Sequence, residues 1–372
     1  MIRLLHLADV HLGASMSSFG DLAEARREAV LDAFRALPDA AAEEEVHAVL
    51  VAGDLFDSAE PPEQALAVAI ETFRRLAEGG WPVVVVPGNH DAASLHPNPW
   101  GEDLGGARVF LEPRLATESV DTEAGPLHVH GLAFDGAIEP DPLAGFEAGG
   151  ESGVHVALLH GSVPDAPHWE GAGLRLPVEE LAGLGCDYVA LGDHHRFRPP
   201  EEFGEGSAPA CYAGSFAAVD TTETGPRGFV VAEVEAGEPP RVEHRSSGVA
   251  PVQDLGAVDV GGRDTVGEVA EAVAERAGEG AIPRVRLVGT PGVPLDEAAV
   301  RKRLEERFGH VDLRDETRYY ASSRLDELAG RDTVAGHVVR MGRERIERAG
   351  SEPDRRVAER ALRIALDALG VE

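Results

Sequence analysis

The chain has 372 residues, 43% of them hydrophobic, a net charge of −32 and 2 cysteines, Cys186 and Cys211. That length fits two or three domains with a substantial core, and the composition excludes a disulfide framework, a thiolate zinc cluster and a disordered chain. No apolar run approaches the ~20 residues that span a bilayer, and His6, Asp9 and His11 interrupt the stretch where a signal peptide would be apolar, so a cytoplasmic protein without a membrane partner is expected.

The first half alternates apolar runs with helical spacing. Ile2–Ala8 reads as a strand, 21–37 as a helix through Leu22, Ala25, Ala29 and Ala33, and Val46–Ala52 as a second strand. Pro61-Pro62 opens a helix carrying Leu66, Ile70, Phe73 and Leu76 on one face, Gly79-Gly80 ends it, and Trp81–Val86 is a third strand. Leu127–Leu132, Val154–Leu159 and Tyr188–Leu191 continue the series, which argues for α/β layers. Residues 200–250 read as antiparallel strands completing the sheets, and 248–262 as a break. Helix Val266–Arg276, strand Arg284–Val288, helix Asp296–Phe308 and strand His310–Leu313 would form a small α/β domain, followed by amphipathic helices at Thr333–Ala349 and Pro353–Leu369.

The chemistry sits where the strands end. The first strand is followed by Asp9-Val10-His11, the second by Gly53-Asp54-Leu55-Phe56-Asp57 and the third by Gly88-Asn89-His90-Asp91. The Val154 run leads into His160-Gly161, and the Tyr188 run into Gly192-Asp193-His194-His195. Open α/β sheets gather ligands at the carboxyl ends of their strands. Carboxylate oxygens and imidazole nitrogens suit Mn²⁺, Fe²⁺ and Zn²⁺, and one carboxylate can bridge a pair of ions that clamps a phosphate ester. Each motif alone is weak, since Asp is common in turns and a lone histidine is usually structural. Five in order, each after a strand, point to a two-metal centre. His128 and His130 alternate on one face and read as structural or surface groups, His6 as a packed histidine, Cys186 and Cys211 as buried and inert, and Glu43-Glu44-Glu45 as a solvated helix end.

These motifs resemble the calcineurin-like metallophosphoesterase superfamily. Within it, Leu5–Gly13, Ala52–Asp57, Tyr188–Gly192 and Tyr212-Ala213-Gly214-Ser215-Phe216 are similar to the SbcD-type DNA repair exonucleases over roughly residues 1–230. The resemblance implies a four-layer αββα sandwich over 1–250, a small α/β capping domain over 251–330, and C-terminal helices over 331–372 that grip an ATPase. It also implies that Asp9, His11 and His195 hold one divalent ion, that Asp54 bridges, and that Asn89, His160 and the position of Asp193 hold the other. His90 would lie near the scissile phosphate as acid or transition-state stabiliser, with Asp91 orienting it. Two departures stand out. Asp193 occupies a position where the family carries histidine, which shifts the second site towards Mn²⁺ or Mg²⁺ unless His194 rotates in. Asp57 likewise stands where relatives often carry histidine.

The implied function is a metal-dependent DNA exonuclease or endonuclease subunit working with an SMC-like coiled-coil ATPase of the SbcC type, as a monomer or homodimer. A hydrolase of a nucleotide or other small phosphoester, and a non-catalytic DNA-end-binding scaffold, are the competing classes. Charge bears on the choice, because DNA is densely negative. Residues 297–372 carry 16 basic and 16 acidic side chains, so the whole −32 lies in 1–296. Backbone contacts would then come from the C-terminal arginines, such as Arg314, Arg318, Arg340, Arg343 and Arg345.

Overall fold

The apolar runs of the first half fold into two sheets. The structure is a computed structural model that describes residues 1–134, 143, 145–164, 174–204, 208–291, 295–317, 320 and 322–371. Its first sheet draws on β1 (Ile2–Leu7), β2 (Ala48–Ala52), β3 (Val83–Val86) and β4 (Arg108–Val109). The second is built from β5 (Ala116–Thr122), β6 (Gly125–Gly131), β7 (Val154–His160), β8 (Tyr188–Gly192) and β9 (Ala210–Tyr212). Strands β10 (Gly228–Val234) and β11 (Arg241–Ser246) return to the first sheet, giving it the order β11-β10-β1-β2-β3-β4. β1 to β4 run parallel, while β10 and β11 add antiparallel. In the second sheet β6 to β9 run parallel, with β5 antiparallel at the edge.

Parallel strands covered on both faces must be apolar on both, and β2 and β3 are buried at every residue. In β1 the alternation decides the partner. Leu5 and Leu7 pack with Val30, Phe34, Phe73 and Leu76 of helices α1 (Ala23–Arg35) and α3 (Glu63–Glu78), near α2 (Leu37–Glu43). Ile2 and Leu4 instead pack with Leu127, Val129, Val156 and Tyr188 of the second sheet. The outer face of that sheet, through Ala157, Leu159 and Val189, is covered by Leu181 of α4 (Val178–Gly183) and by Leu184. Helix, sheet, sheet, helix is the four-layer order expected from the sequence. Each fully buried Leu, Val or Phe contributes about 1.5–3 kcal/mol to holding it.

This sandwich is one of two compact units, residues 1–253 with 280–282. The other comprises residues 254–279 and 283–372. It holds most of a three-stranded sheet of β12 (Val252–Asp259), β13 (Ile282–Val288) and β14 (Asp312–Asp315), with helices α5 (Val266–Ala274) and α6 (Glu297–Phe308). A reciprocal cap between Thr265 and Glu268 starts α5, and Asp296 caps α6 by accepting from the N–H groups of Ala298 and Ala299. Helices α7 (Ser322–Ala329), α8 (Val334–Glu347) and α9 (Glu352–Ala368) share a separate small core of Leu328, Val339, Leu362 and Leu366. No helix among the described residues is long and apolar enough to cross a membrane.

Several expectations are corrected. β12 fills the stretch read as a break, because its apolar Val252, Leu255 and Val258 are spaced by three and show no two-residue alternation. β9 is parallel to β8, so among the described strands of residues 200–250 β10 and β11 alone add antiparallel. Glu44 is not a solvated helix end: its carboxylate pairs with Arg3 at 3.5 Å and with Arg245. Cys211 is buried and Cys186 half-buried, and burial pushes both thiols up to about 12. Arg318 lies outside the described residues. Of the other arginines suggested for DNA, Arg343 pairs with Asp326 at 2.7 Å and Arg340 donates to the carbonyl of Ala329 at 2.6 Å.

His128 and His130 are structural, and parallel pairing adds a third member. β6 sets His128 in register with His155 of β7. The His130 and His155 rings stack with centroids 5.3 Å apart, and His130 Nε2 lies 3.0 Å from His155 Nδ1. Burial, and then the neighbouring His155 and His128, lowers the His130 pKa to about 4. An unfolded histidine titrates near 6.5, so the unfolded state takes up this proton first, and stability falls as pH drops from 6.5 towards 4. His130→Gln should therefore flatten the acid limb. Urea midpoints of the metal-free protein at pH 7 and pH 4.5 check this, and an unchanged difference between the two pH values would contradict it.

Candidate metal centre

The loops after β1 and β2 run side by side. The N–H of Asp9 donates to Gly53 O at 3.1 Å, that of His11 to Asp54 O at 3.0 Å, and that of Leu12 to Leu55 O at 2.9 Å. This pairing forces Asp9, His11 and Asp54 into left-handed backbone, with φ of 48°, 50° and 47°. Non-glycine residues held there are strained, and such strain gathers at functional sites. Two glycines admit the close approach. A Cβ on Gly192 would lie 1.8 Å from Ala52 O, and one on Gly53, at φ +85°, would lie 2.1 Å from His160 Nδ1.

All of the site residues expected from the sequence converge here. Asp9, His11 and His195 offer ligand atoms within 4.8 Å of one another, as do Asp9, Asp54 and His160. His11 Nε2 stands 3.2 Å from His195 Nε2 and 3.8 Å from Asp54 Oδ2. His160 Nε2 is 2.9 Å from Asn89 Oδ1, 3.5 Å from Asp54 Oδ2 and 3.9 Å from Asp193 Oδ1. Asp193, rather than His194, turns its side chain inward. His194 is exposed and lies beside Tyr212, its ring 5.4 Å from that of Tyr212.

Asp9 and Asp54 are buried, and among the described residues their ion pairs are all with histidines. Buried carboxylates are costly unless cations join them, either protons on the neighbouring imidazoles or bound metal ions. Burial raises the Asp9 carboxyl above its usual range. Burial would lower His160, but Asp54, Asp9 and Asp193 together push it up to about 9. His195 also reaches about 9, burial being outweighed by Glu223 and Asp9, and His11 is raised against burial by Asp57, Asp54 and Asp9. A donor set of carboxylates, imidazoles and one amide oxygen fits two divalent first-row ions.

These protons give a testable consequence. At pH 7 the metal-free His160 and His195 carry protons that a metal must displace. Metal affinity should therefore rise with pH up to about 9, with release of about two protons. Calorimetry in buffers of different ionisation enthalpy measures both. Affinity flat from pH 6 to 9 would contradict the assignment of these histidines as ligands.

Asp91 requires a correction. It does not orient the His90 ring. Its carboxylate is fully buried and accepts from Gly88 N at 2.7 Å and Phe56 N at 3.0 Å, clamping the loops after β2 and β3 together. Burial and the nearby Asp54 raise it to about 7. His90 is held instead by donating from Nδ1 to the main-chain carbonyl of Asp57 at 3.0 Å, and its own N–H donates to Asp54 Oδ1 at 2.9 Å. His6 is buried with its Nδ1 2.9 Å from the Tyr188 hydroxyl, away from the donor set.

Sequence reasoning missed Glu223. Its Oε1 accepts from His195 Nδ1 at 2.7 Å, while Oε2 takes Val219 N at 3.1 Å. Burial would raise its carboxyl, but the His195 contact outweighs burial and holds it low. Arg227 donates to the carbonyls of His195 and Thr224, fixing the same loop. The signal was the turn Thr224–Gly228, which read as a connection only.

Comparison with known proteins agrees with this geometry. Residues 2–197 match the calcineurin-like phosphoesterase family. The DNA double-strand break repair protein Mre11 of Sulfurisphaera tokodaii is 27% identical over 202 residues, 53% of this chain and 49% of that protein. The uncharacterized metallophosphoesterase YhaO of Bacillus subtilis is 29% identical over 248 residues, 64% of this chain and 58% of its own. The matched stretches thus span about half the length of these two relatives. Mre11 of Methanopyrus kandleri is 27% identical over 393 aligned positions, covering 98% of this chain and 82% of that one. The match to the family model extends over more than half of the chain, from β1 to the loop that carries His195, and the chain belongs to the calcineurin-like phosphoesterase family.

Proposed function

We propose that the protein is a two-metal phosphodiesterase that cuts DNA. The observation that carries this reading is the convergence of Asp9, His11, Asp54, Asn89, His160, Asp193 and His195 from five strand ends. Asp9, His11 and His195 would hold one ion and Asn89, His160 and Asp193 the other, with Asp54 facing both sets. With a carboxylate at 193, Mn²⁺ suits the pair best, ahead of Mg²⁺, Fe²⁺ or Zn²⁺. When bound, such ions would supply an acidified water and neutralise charge on the attacking and leaving oxygens. The chain's own residues do the rest. Asp57 O accepts from His90 Nδ1–H and leaves Nε2 free, so that His90, as the imidazolium, would donate a proton or hydrogen bond from Nε2 to the phosphate ester as it breaks. Asp91 keeps the two loops in register beneath it, and Glu223 fixes the His195 ring.

DNA as substrate is supported by the relatives named for double-strand break repair, one of them matched along nearly the whole chain. We assign residues 1–250 to catalysis, 251–330 to capping the substrate, and 331–372 to binding an SMC-like ATPase. Support for the last is the apolar surface left exposed by α8 and α9 at Val334, Met341, Val357 and Ile364. The acidity of residues 1–296 favours a second reading, hydrolysis of a small phosphoester.

The test is hydrolysis of end-labelled linear DNA with Mn²⁺, beside bis-p-nitrophenyl phosphate, for wild type and His90→Ala. Loss of both activities in the variant, with both present in wild type, is expected. Cleavage of the small ester alone, unchanged by added ATPase partner, would move the assignment to the second reading.

A further inference from the structure

His11 poses a problem of orientation. It is 1% exposed, and its two nitrogens face different surroundings. Nε2 points among His195 Nε2 and Asp54 Oδ2, at 3.2 and 3.8 Å. Nδ1 is buried without an aligned hydrogen bond, and Asp57 Oδ1 lies 3.2 Å from it. A neutral imidazole carries one proton, and whichever partner takes that proton decides which nitrogen has the lone pair. The same Asp57 reaches His90, but through its main chain: the carbonyl is 3.0 Å from His90 Nδ1, whereas Oδ1 is 4.0 Å away. The His11 and His90 rings meet edge to face, with centroids 4.7 Å apart.

We propose that Asp57 is a positioning residue for both histidines. Its carboxylate keeps the His11 proton on Nδ1 and the lone pair of Nε2 turned into the metal centre, while its carbonyl fixes the His90 ring. The backbone of Asp57 is locked for this, its N–H donating to Leu12 O at 3.2 Å beside the bridge between Leu12 and Phe56. The division of labour has a consequence. Substitution of the side chain removes the support of His11 and leaves that of His90 intact. Asp57 therefore acts on metal affinity, and His90 on the chemical step. This rests on the two-metal reading above, though not on DNA being the substrate.

The experiment uses the full chain with Mn²⁺ as the probe. Calorimetry measures affinity and stoichiometry, and bis-p-nitrophenyl phosphate turnover is followed across Mn²⁺ concentration. Zn²⁺-loaded protein gives the His11 tautomer by ¹H–¹⁵N correlation. Asp57→Ala should weaken one of the two Mn²⁺ sites about 10–100-fold, the usual effect of losing a ligand's hydrogen-bond partner. Its kcat should recover at saturating Mn²⁺, which His90→Ala will not do. Asp57→Asn keeps an acceptor oxygen, so it should restore affinity and the Nδ1–H tautomer. Asp57→Ala with wild-type affinity and lowered kcat would overturn the proposal, because Asp57 would then act on the substrate. A third Mn²⁺ in wild type that Asp57→Ala loses would also overturn it, because Asp57 would then be a ligand. Wild type that binds two Mn²⁺ and cleaves the ester but not DNA counts against the DNA reading alone.

Discussion

Asp54→Asn is expected to lower phosphodiester hydrolysis by about 10²–10³-fold, the scale of losing a preorganised electrostatic group. Asp54 faces both halves of the donor set, 3.8 Å from His11 Nε2 and 3.5 Å from His160 Nε2. An amide there cannot bridge two cations with full negative charge. Asn still accepts from His90 N, a contact of 2.9 Å in the wild type, but the buried His160 loses the carboxylate that does most to hold its proton. In chelator the variant should therefore melt lower than wild type at pH 7, and the gap should narrow above pH 9, where His160 is neutral in both. Retained hydrolysis would remove Asp54 from the centre, and an unchanged melting temperature at pH 7 would contradict the pairing of Asp54 with His160.

Gly53→Ala should be among the most damaging substitutions of a small residue. Its Cβ would fall 2.1 Å from Nδ1 and 2.6 Å from Cβ of His160, a ring pinned by Ala52 O at 2.9 Å. Overpacking of this kind costs about 1–3 kcal/mol, and the left-handed backbone adds roughly 1–2 kcal/mol more. Gly80→Ala is the control. It has φ of +90° but nothing within 4 Å, so it should cost only the backbone penalty of about 1–2 kcal/mol. Urea unfolding of both variants gives the comparison. Equal losses would mean that the fit of Gly53 against His160 contributes nothing.

Much of this was legible in the sequence, for physical reasons. Strands buried on both faces leave uninterrupted apolar runs, and the runs in β2, β3, β7 and β8 end directly before the ligand candidates. What failed to show in the sequence depends on contacts across long separations. The Asp91 carboxylate works on the N–H of Phe56, 35 residues away, and main-chain donors leave no pattern. Glu223 is one glutamate in an acidic chain until folding sets it against His195, 28 residues back. His155 joins His128 and His130 only through the register of β6 with β7. α4 and α7, at 6 and 8 residues, are too short to display a periodic face.

The central claim is that these strand ends build a two-metal centre around Asp54. It is tested most directly by anomalous diffraction from crystals grown with Mn²⁺. Two peaks about 3.5–4 Å apart, with Asp54 between them, are predicted. A single peak, or two peaks that do not share Asp54, would contradict the account.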